Sequence, residues 1–188
     1  MTRLLLVRHA RPTENWDAAP DAGLDPLGRE QAARLVDVLG DHPSRPVLTS
    51  PLRRARETAA PLAAHWGTGT HVVPAVGEIT APHVDPDARV GWLRGVLAGT
   101  WSEVDDRLAS WRATLLDALT TIEQDSVVFS HFVAINTAVG AATGDERVMC
   151  FAPAHASVTE LAVDDGALRL VALGAESDVP MPRAGGGE

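Results

Sequence analysis

Lysine is missing from this chain of 188 residues: all 16 of its basic residues are arginine. That lack excludes Schiff-base chemistry and a phosphate loop built on a P-loop lysine. Cysteine is nearly missing too. Cys150 has no second thiol to pair with and no CxxC neighbour, which excludes disulfide scaffolds and cysteine-based zinc sites and suits an inert buried thiol. Aromatics are scarce, with five Trp, three Phe and no Tyr. An excess of positive charge is lacking as well. The 16 basic residues face 25 acidic ones, a net charge of −9, which argues against a protein held on nucleic acid or anionic lipid by charge alone and leaves room for a local basic pocket. Nor is there a long apolar run. Leu4-Leu5-Leu6-Val7 is closed by Arg8 and His9, too early for a signal peptide or a membrane span. The expected location is the cytoplasm.

What is present is an ordinary globular composition, 45% hydrophobic and 22% charged, in a length that suits one domain with one core. Residues 3–7 (RLLLV) read as a short buried strand. In LGREQAARLVDVLG, Leu27, Ala32, Leu35, Val38 and Leu39 fall near helical spacing, with Asp25 as N-cap, Pro26 at the first position and Gly40 as the stop. Pro46 to Thr49 is a second strand, and Ser50-Pro51 opens a helix to about His65. This alternation is a parallel α/β rhythm. His71 to Val76 reads as a third strand. Residues 77–102 hold four Gly, two Pro and two Trp with little periodicity, the pattern of a long irregular insertion or lid. Ser102 begins a helix to about Ile122, with Val104, Leu108, Trp111, Leu115 and Leu119 on one face. SVVFS (126–130) is a buried strand, Phe132 to Ala142 a helix, and Ser157–Val163 and Ala167–Leu173 two strands turning at Asp164-Asp165-Gly166. The domain is expected to span 1–173, with 174–188 as a flexible tail.

Three polar clusters follow directly on apolar strands: Arg8-His9, Ser50 to Arg56, and Ser130-His131. In open α/β sheets the carboxyl ends of the strands form the ligand crevice, so these clusters can meet in space. Arg53, Arg54 and Arg56 fall in the first turns of a helix, where cations repel the dipole unless an anion binds. Guanidinium forks at a helix N-terminus suit a phosphate. Arg53 and Glu57 are spaced i,i+4 and read as a solvated pair, while Arg54 lies about 100° further round the helix. His42, His65 and His71 sit at element ends and read as structural or exposed. His9 and His131 each stand at a strand end beside another polar group; no HxH, HExxH or carboxylate spacing accompanies them, so no metal is expected.

Leu6-Val7-Arg8-His9-Ala10 with Asn15, Ser50-Pro51-Leu52-Arg53-Arg54-Ala55 with Thr58-Ala59, Ser130-His131, and His155-Ala156-Ser157-Val158-Thr159 together resemble the histidine phosphatase superfamily, the phosphoglycerate mutase-like clan. The resemblance runs from residue 4 to about residue 161. It implies a three-layer α/β/α sandwich with a mostly parallel central sheet, and phosphoryl transfer in two steps through a phosphohistidine without metal or other cofactor. His9 would be the nucleophile, and Arg8, Arg54 and His131 would surround the phosphoryl oxygens. Asn15 and Arg11 would be substrate contacts. Glu78 falls where the family commonly places its proton donor, with Asp85, Asp87 and His83 as other donors in the insertion. The chain departs from the usual pattern at Ala10, where glycine is usual, at Arg11-Pro12 in place of Glu-Thr, and at Phe132, where glycine often follows the second histidine.

The activity implied is a metal-independent phosphomonoesterase on a small phosphorylated metabolite. Phosphoglycerate mutase-type transfer, a protein phosphohistidine phosphatase and a non-catalytic phospholigand-binding module are the alternatives. The expected partner is the small substrate, with no nucleic acid or membrane and with homo-oligomer formation open.

Overall fold

The computed structural model describes residues 1–14, 21–82 and 85–177. Its strands are β1 (Thr2–Arg8), β2 (Val47–Thr49), β3 (Thr70–Val72), β4 (Ser126–Ser130), β5 (Val158–Asp164) and β6 (Ala167–Ala172). They form one sheet in the order β3-β2-β4-β1-β5-β6. The first four of that order run parallel, and β5 and β6 are antiparallel additions. The helices are α1 (Pro26–Leu39), α2 (Arg53–His65), α3 (Pro86–Ala98), α4 (Asp106–Thr120) and α5 (Phe132–Thr143).

The run of apolar residues in β1 and β4 has a simple reason. Leu4, Leu6 and Val128 point to one face, where they meet Leu115 and Leu119 of α4 and Ile135 and Val139 of α5. Leu5, Val7, Val127 and Phe129 point to the other, against Leu35 and Leu39 of α1 and Ala59 and Leu62 of α2. A central parallel strand is covered on both faces and has no polar side. The result is the three-layer α/β/α sandwich that the resemblance implies.

Helix α1 starts as its sequence indicates: Asp25 accepts from the Gly28 N–H at 2.6 Å, and Pro26 occupies the first turn. Gly28 is required by a close approach, because a Cβ there would lie 2.0 Å from the Arg11 carbonyl oxygen. Val38 is not on the buried stripe but 60% exposed. The turn between β5 and β6 carries positive φ at Asp165 and Gly166, as a two-residue hairpin requires.

Several boundaries differ from expectation. Helix α2 begins at Arg53, and Leu52, not Ser50, precedes it. The Arg53 N–H donates instead to the Asp21 carboxylate at 2.6 Å. The third strand stops at Val72, because Pro74 has no N–H to give and opens a 3-10 turn over Pro74–Val76. Residues 77–102 are not irregular throughout: α3 lies within them, capped by Asp85, which accepts from the Ala88 N–H at 2.9 Å, with Pro86 in its first turn. Helix α4 starts only at Asp106, after Asp105 caps the Leu108 N–H. Residues 174–177 are not a free tail. Ala154 N–H donates to the Ala175 carbonyl and Ser177 N–H to the Ala152 carbonyl, each at 2.8 Å, and Glu176 Oε2 accepts from the Ala152 N–H at 3.1 Å. Residues 178–188 lie outside the described residues.

Candidate active site

The sheet order brings the three polar clusters to one edge. Strand β4 lies between β2 and β1, with Arg8 opposite Ser130 and Thr49 opposite Phe129. Just past the strand ends, the His9 N–H donates to the Ser130 carbonyl at 2.9 Å and the Ser50 N–H to the Phe129 carbonyl at 3.0 Å. A fourth segment joins them from the antiparallel side. The Ala156 N–H donates to the Arg8 carbonyl and the Arg8 N–H to the Ser157 carbonyl, with Ala156 held in the left-handed region at φ 57°.

His9 is buried, and its Nδ1 lies 2.9 Å from the Ala10 carbonyl oxygen. A carbonyl only accepts, so Nδ1 carries the proton and Nε2 keeps its lone pair. Burial holds the imidazole well below its usual range, and the charges of Arg54 and Arg8 push the same way. His9 is therefore neutral at pH 7. The chain leaving it is fixed by Thr58 of α2, whose Oγ1 accepts from the Ala10 N–H and donates to the Arg54 carbonyl.

Arg8 donates through Nη1 to the Pro153 carbonyl at 2.6 Å, and its guanidinium lies over the Phe132 ring, 5.0 Å from the centroid. Burial lowers its pKa to about 10, so it stays charged. Arg54, in the first turn of α2, is buried, and its charge acts on His9, Arg8, His131 and Glu78. Arg53 instead points outward to Glu57, the solvated pair its spacing indicates.

His131 precedes α5 and is buried completely, its ring 5.2 Å from that of His9. Its Nε2 meets Ser50 Oγ at 2.7 Å, and burial first, then His9 and the two arginines, keep it neutral. Glu78 spans the same region. Its Oε1 accepts from the Ile79 N–H and its Oε2 from the Val133 N–H in the first turn of α5. Removal from water raises its carboxyl above the usual range, against the lowering effect of those two bonds and of Arg54 and Arg8. A carboxyl that holds its proton more tightly than an ordinary glutamic acid is suited to deliver one.

The structure brings Arg8, His9, Arg54, Glu78 and His131 together. Arg11 stands to one side of those five: its Nε donates to the Asp25 carboxylate at 2.6 Å, half of the side chain is exposed, and its charge acts on His155. Asn15 and His83 lie outside the described residues, as does the side chain of Asp87. Asp85 is exposed and occupied in capping α3. His155, absent from the expected site, is part of the cluster, its ring 5.5 Å from that of His9. So is Ser50, placed by the sequence in the second polar cluster but given no role in the site. The signal for both was their place beside a strand end within the quoted motifs.

Among the described residues, the buried side-chain polar atoms that make no hydrogen bond include Arg8 Nε, His131 Nδ1, His155 Nδ1 and Ser157 Oγ. Arg8 Nε and His131 Nδ1 are thus left with hydrogen-bonding capacity beside His9, as a site for an oxyanion requires. Among the same residues, no group of three or more His, Cys, Asp or Glu side chains is placed to hold a metal ion. No helix among them is long and apolar enough to cross a membrane.

The sequence profile of the histidine phosphatase superfamily (branch 1) matches residues 4–176. An uncharacterized protein of Mycobacterium tuberculosis is 33% identical over 131 residues, 62% of this chain and 65% of its own. The chain thus spans about two thirds of the curated relatives it matches, just under that mark at 65%. Among solved structures, phosphoserine phosphatase from Entamoeba histolytica in complex with 3-phosphoglyceric acid superposes with a TM-score of 0.73 at 22% identity, over 93% of this chain and 98% of that one. Mycobacterial glucosyl-3-phosphoglycerate phosphatase with VO3 gives 0.71 at 21% identity, over 94% and 100%. At such identities the likeness is one of fold.

Proposed function

The chain belongs to the histidine phosphatase superfamily (branch 1), and from that premise we propose that it is a phosphoric monoester hydrolase that acts on a small phosphorylated metabolite, without metal, through a phosphohistidine on His9. The observation that carries this reading is the state of His9. Its Nδ1–H is held by the Ala10 carbonyl, which leaves the Nε2 lone pair free, and burial with the charges of Arg54 and Arg8 keeps the ring neutral. In the first step the Nε2 lone pair attacks phosphorus, the ester P–O bond breaks, and Glu78 gives its proton to the departing oxygen, releasing the alcohol. In the second, Glu78 takes a proton from water, the oxygen of that water attacks phosphorus, and the P–N bond breaks to give inorganic phosphate and neutral His9. Arg8, Arg54 and His131 stabilise charge on the phosphoryl oxygens throughout, the task a metal performs elsewhere. The structural relatives named above act on phosphoserine and on glucosyl-3-phosphoglycerate, which supports a small phosphomonoester.

Incubation with p-nitrophenyl phosphate and with 3-phosphoglycerate tests the reading. Release of inorganic phosphate supports hydrolysis. Isomerisation of 3-phosphoglycerate supports mutase-type transfer, and inertness toward a panel of phosphorylated metabolites overturns both. That panel also identifies the substrate.

A further inference from the structure

The loop that follows α5 carries a grip on Arg8 that the proposed chemistry does not explain. Two groups of this loop face the guanidinium: the Pro153 carbonyl accepts from Nη1 at 2.6 Å, and His155 Nε2 lies 3.5 Å from Nη2. Arginine only donates, so the lone pair of His155 faces Arg8. The loop is braced from both ends. Ala156 is held at φ 57° by its bond to the Arg8 carbonyl, and residues 175–177 bind Ala152 and Ala154 through three hydrogen bonds, one of them to the Glu176 carboxylate.

We propose that His155 is a positioning residue: a neutral acceptor that orients Arg8 toward the phosphoryl group without cancelling its charge. A carboxylate is the usual partner of a buried guanidinium, but it would pair that charge and repel an incoming dianion. An imidazole lone pair, like the Pro153 carbonyl, orients the fork and leaves the positive charge for the substrate. The imidazole meets the requirement of neutrality. Burial, and after it Arg8 and Arg11, against an opposing effect of Asp25, hold its pKa at about 4.

This inference rests on the phosphatase reading, so its test is a binding measurement that needs no turnover. Calorimetric titration with inorganic phosphate at pH 7 is run on the wild type and on His155→Ala, His155→Gln and His155→Glu. Loss of the clamp in His155→Ala should weaken phosphate binding on the order of 10-fold or more, the scale of one hydrogen bond to a charged group. His155→Gln, whose amide oxygen is a neutral acceptor near the position of Nε2, should recover most of the loss. His155→Glu, an acceptor of similar reach that carries charge, should bind phosphate at least as weakly as His155→Ala. Wild-type affinity in His155→Ala, or equal affinities in the Gln and Glu variants, overturns the proposal. If the alanine variant does not fold, the Gln and Glu pair decides alone. A wild-type protein that binds phosphate yet hydrolyses no phosphomonoester sinks the phosphatase reading and leaves the series on His155 decisive. A wild type that binds none overturns both.

Discussion

Two regions of the molecule are built differently. The cluster around His9 hangs from the ends of β1, β2 and β4, where backbone bonds across the sheet fix each residue after its strand. The other region, α3, comes from the connection between the 3-10 turn and α4. It packs by the partly buried Trp92, Leu93, Val96 and Leu97 against Ile79, Trp101 and Leu108. Gly91 and Gly95 of α3 face open space, and a cavity of about 260 Å³ lies between Trp92, Val96, Glu103 and Leu108. The lesson is a division of labour. Groups that must meet within tenths of an ångström are mounted on the sheet, while α3 is held by apolar packing along one side and leaves a cavity beside it.

The sharpest way to break that contrast is at the sheet edge. His9→Ala should abolish turnover on every phosphomonoester, a loss on the order of 10⁴–10⁶-fold, together with the acid-labile phosphoenzyme, while circular dichroism stays unchanged. Substantial residual turnover would mean that another group attacks phosphorus.

Glu78→Gln comes next and discriminates among substrates. An alkoxide needs a proton on departure and p-nitrophenolate hardly does, so an alkyl ester should slow by about 10²–10⁴-fold and p-nitrophenyl phosphate far less. The amide oxygen can still accept from the Val133 N–H, which keeps the N-terminus of α5 capped. The pH profile gives the sign. Because the Glu78 carboxyl is raised, its proton-bearing form persists to higher pH than an ordinary glutamic acid. Alkyl-ester kcat/KM should fall as pH rises through that value, and the glutamine variant should lose this limb. Equal slowing of both substrates would mark Glu78 as structural.

A smaller effect belongs to the helix. Asp85→Ala removes the cap of α3 and should cost about 1 kcal/mol in urea unfolding while leaving kcat for p-nitrophenyl phosphate unchanged. A collapse of kcat would show that α3 helps to set the chemistry after all. Smallest is the expected effect of excess EDTA, which should leave activity intact if arginines supply the positive charge; rescue of an EDTA-inactivated enzyme by zinc or magnesium would refute that account.

Much of the sheet edge was legible because strand ends punctuate the sequence strongly. RLLLV and SVVFS read as short buried strands, and the structure covers both on their two faces, so Arg8, His9, Ser130 and His131 stand at their ends. The pairing of Arg11 was hidden for the opposite reason. Its charge is visible in sequence but its partner is not, and Asp25 reaches it only because α1 packs on the loop through Gly28. Helix α3 was hidden although Asp85-Pro86 repeats the start signal of Asp25-Pro26. Gly91 and Gly95 dilute its periodicity, and its apolar residues meet neighbours from three separate segments. His155 escaped because a loop has no period, and what it faces is decided by the fold of Arg8, far away in sequence.

The place of β1 in the sheet also sets an order of assembly. Its neighbours are β4 and β5, never β2, so Leu4 waits for Ser126 and Leu161 before its strand has a partner on either side. The strands that seat His9 therefore leave the ribosome long after it does. Until then the apolar RLLLV segment has two unpaired edges, the condition under which nascent chains stick to one another and to chaperones. Pairing across such separations is slow. A fragment that ends before β4 lacks His131 and both neighbours of β1, so it cannot assemble the cluster around His9.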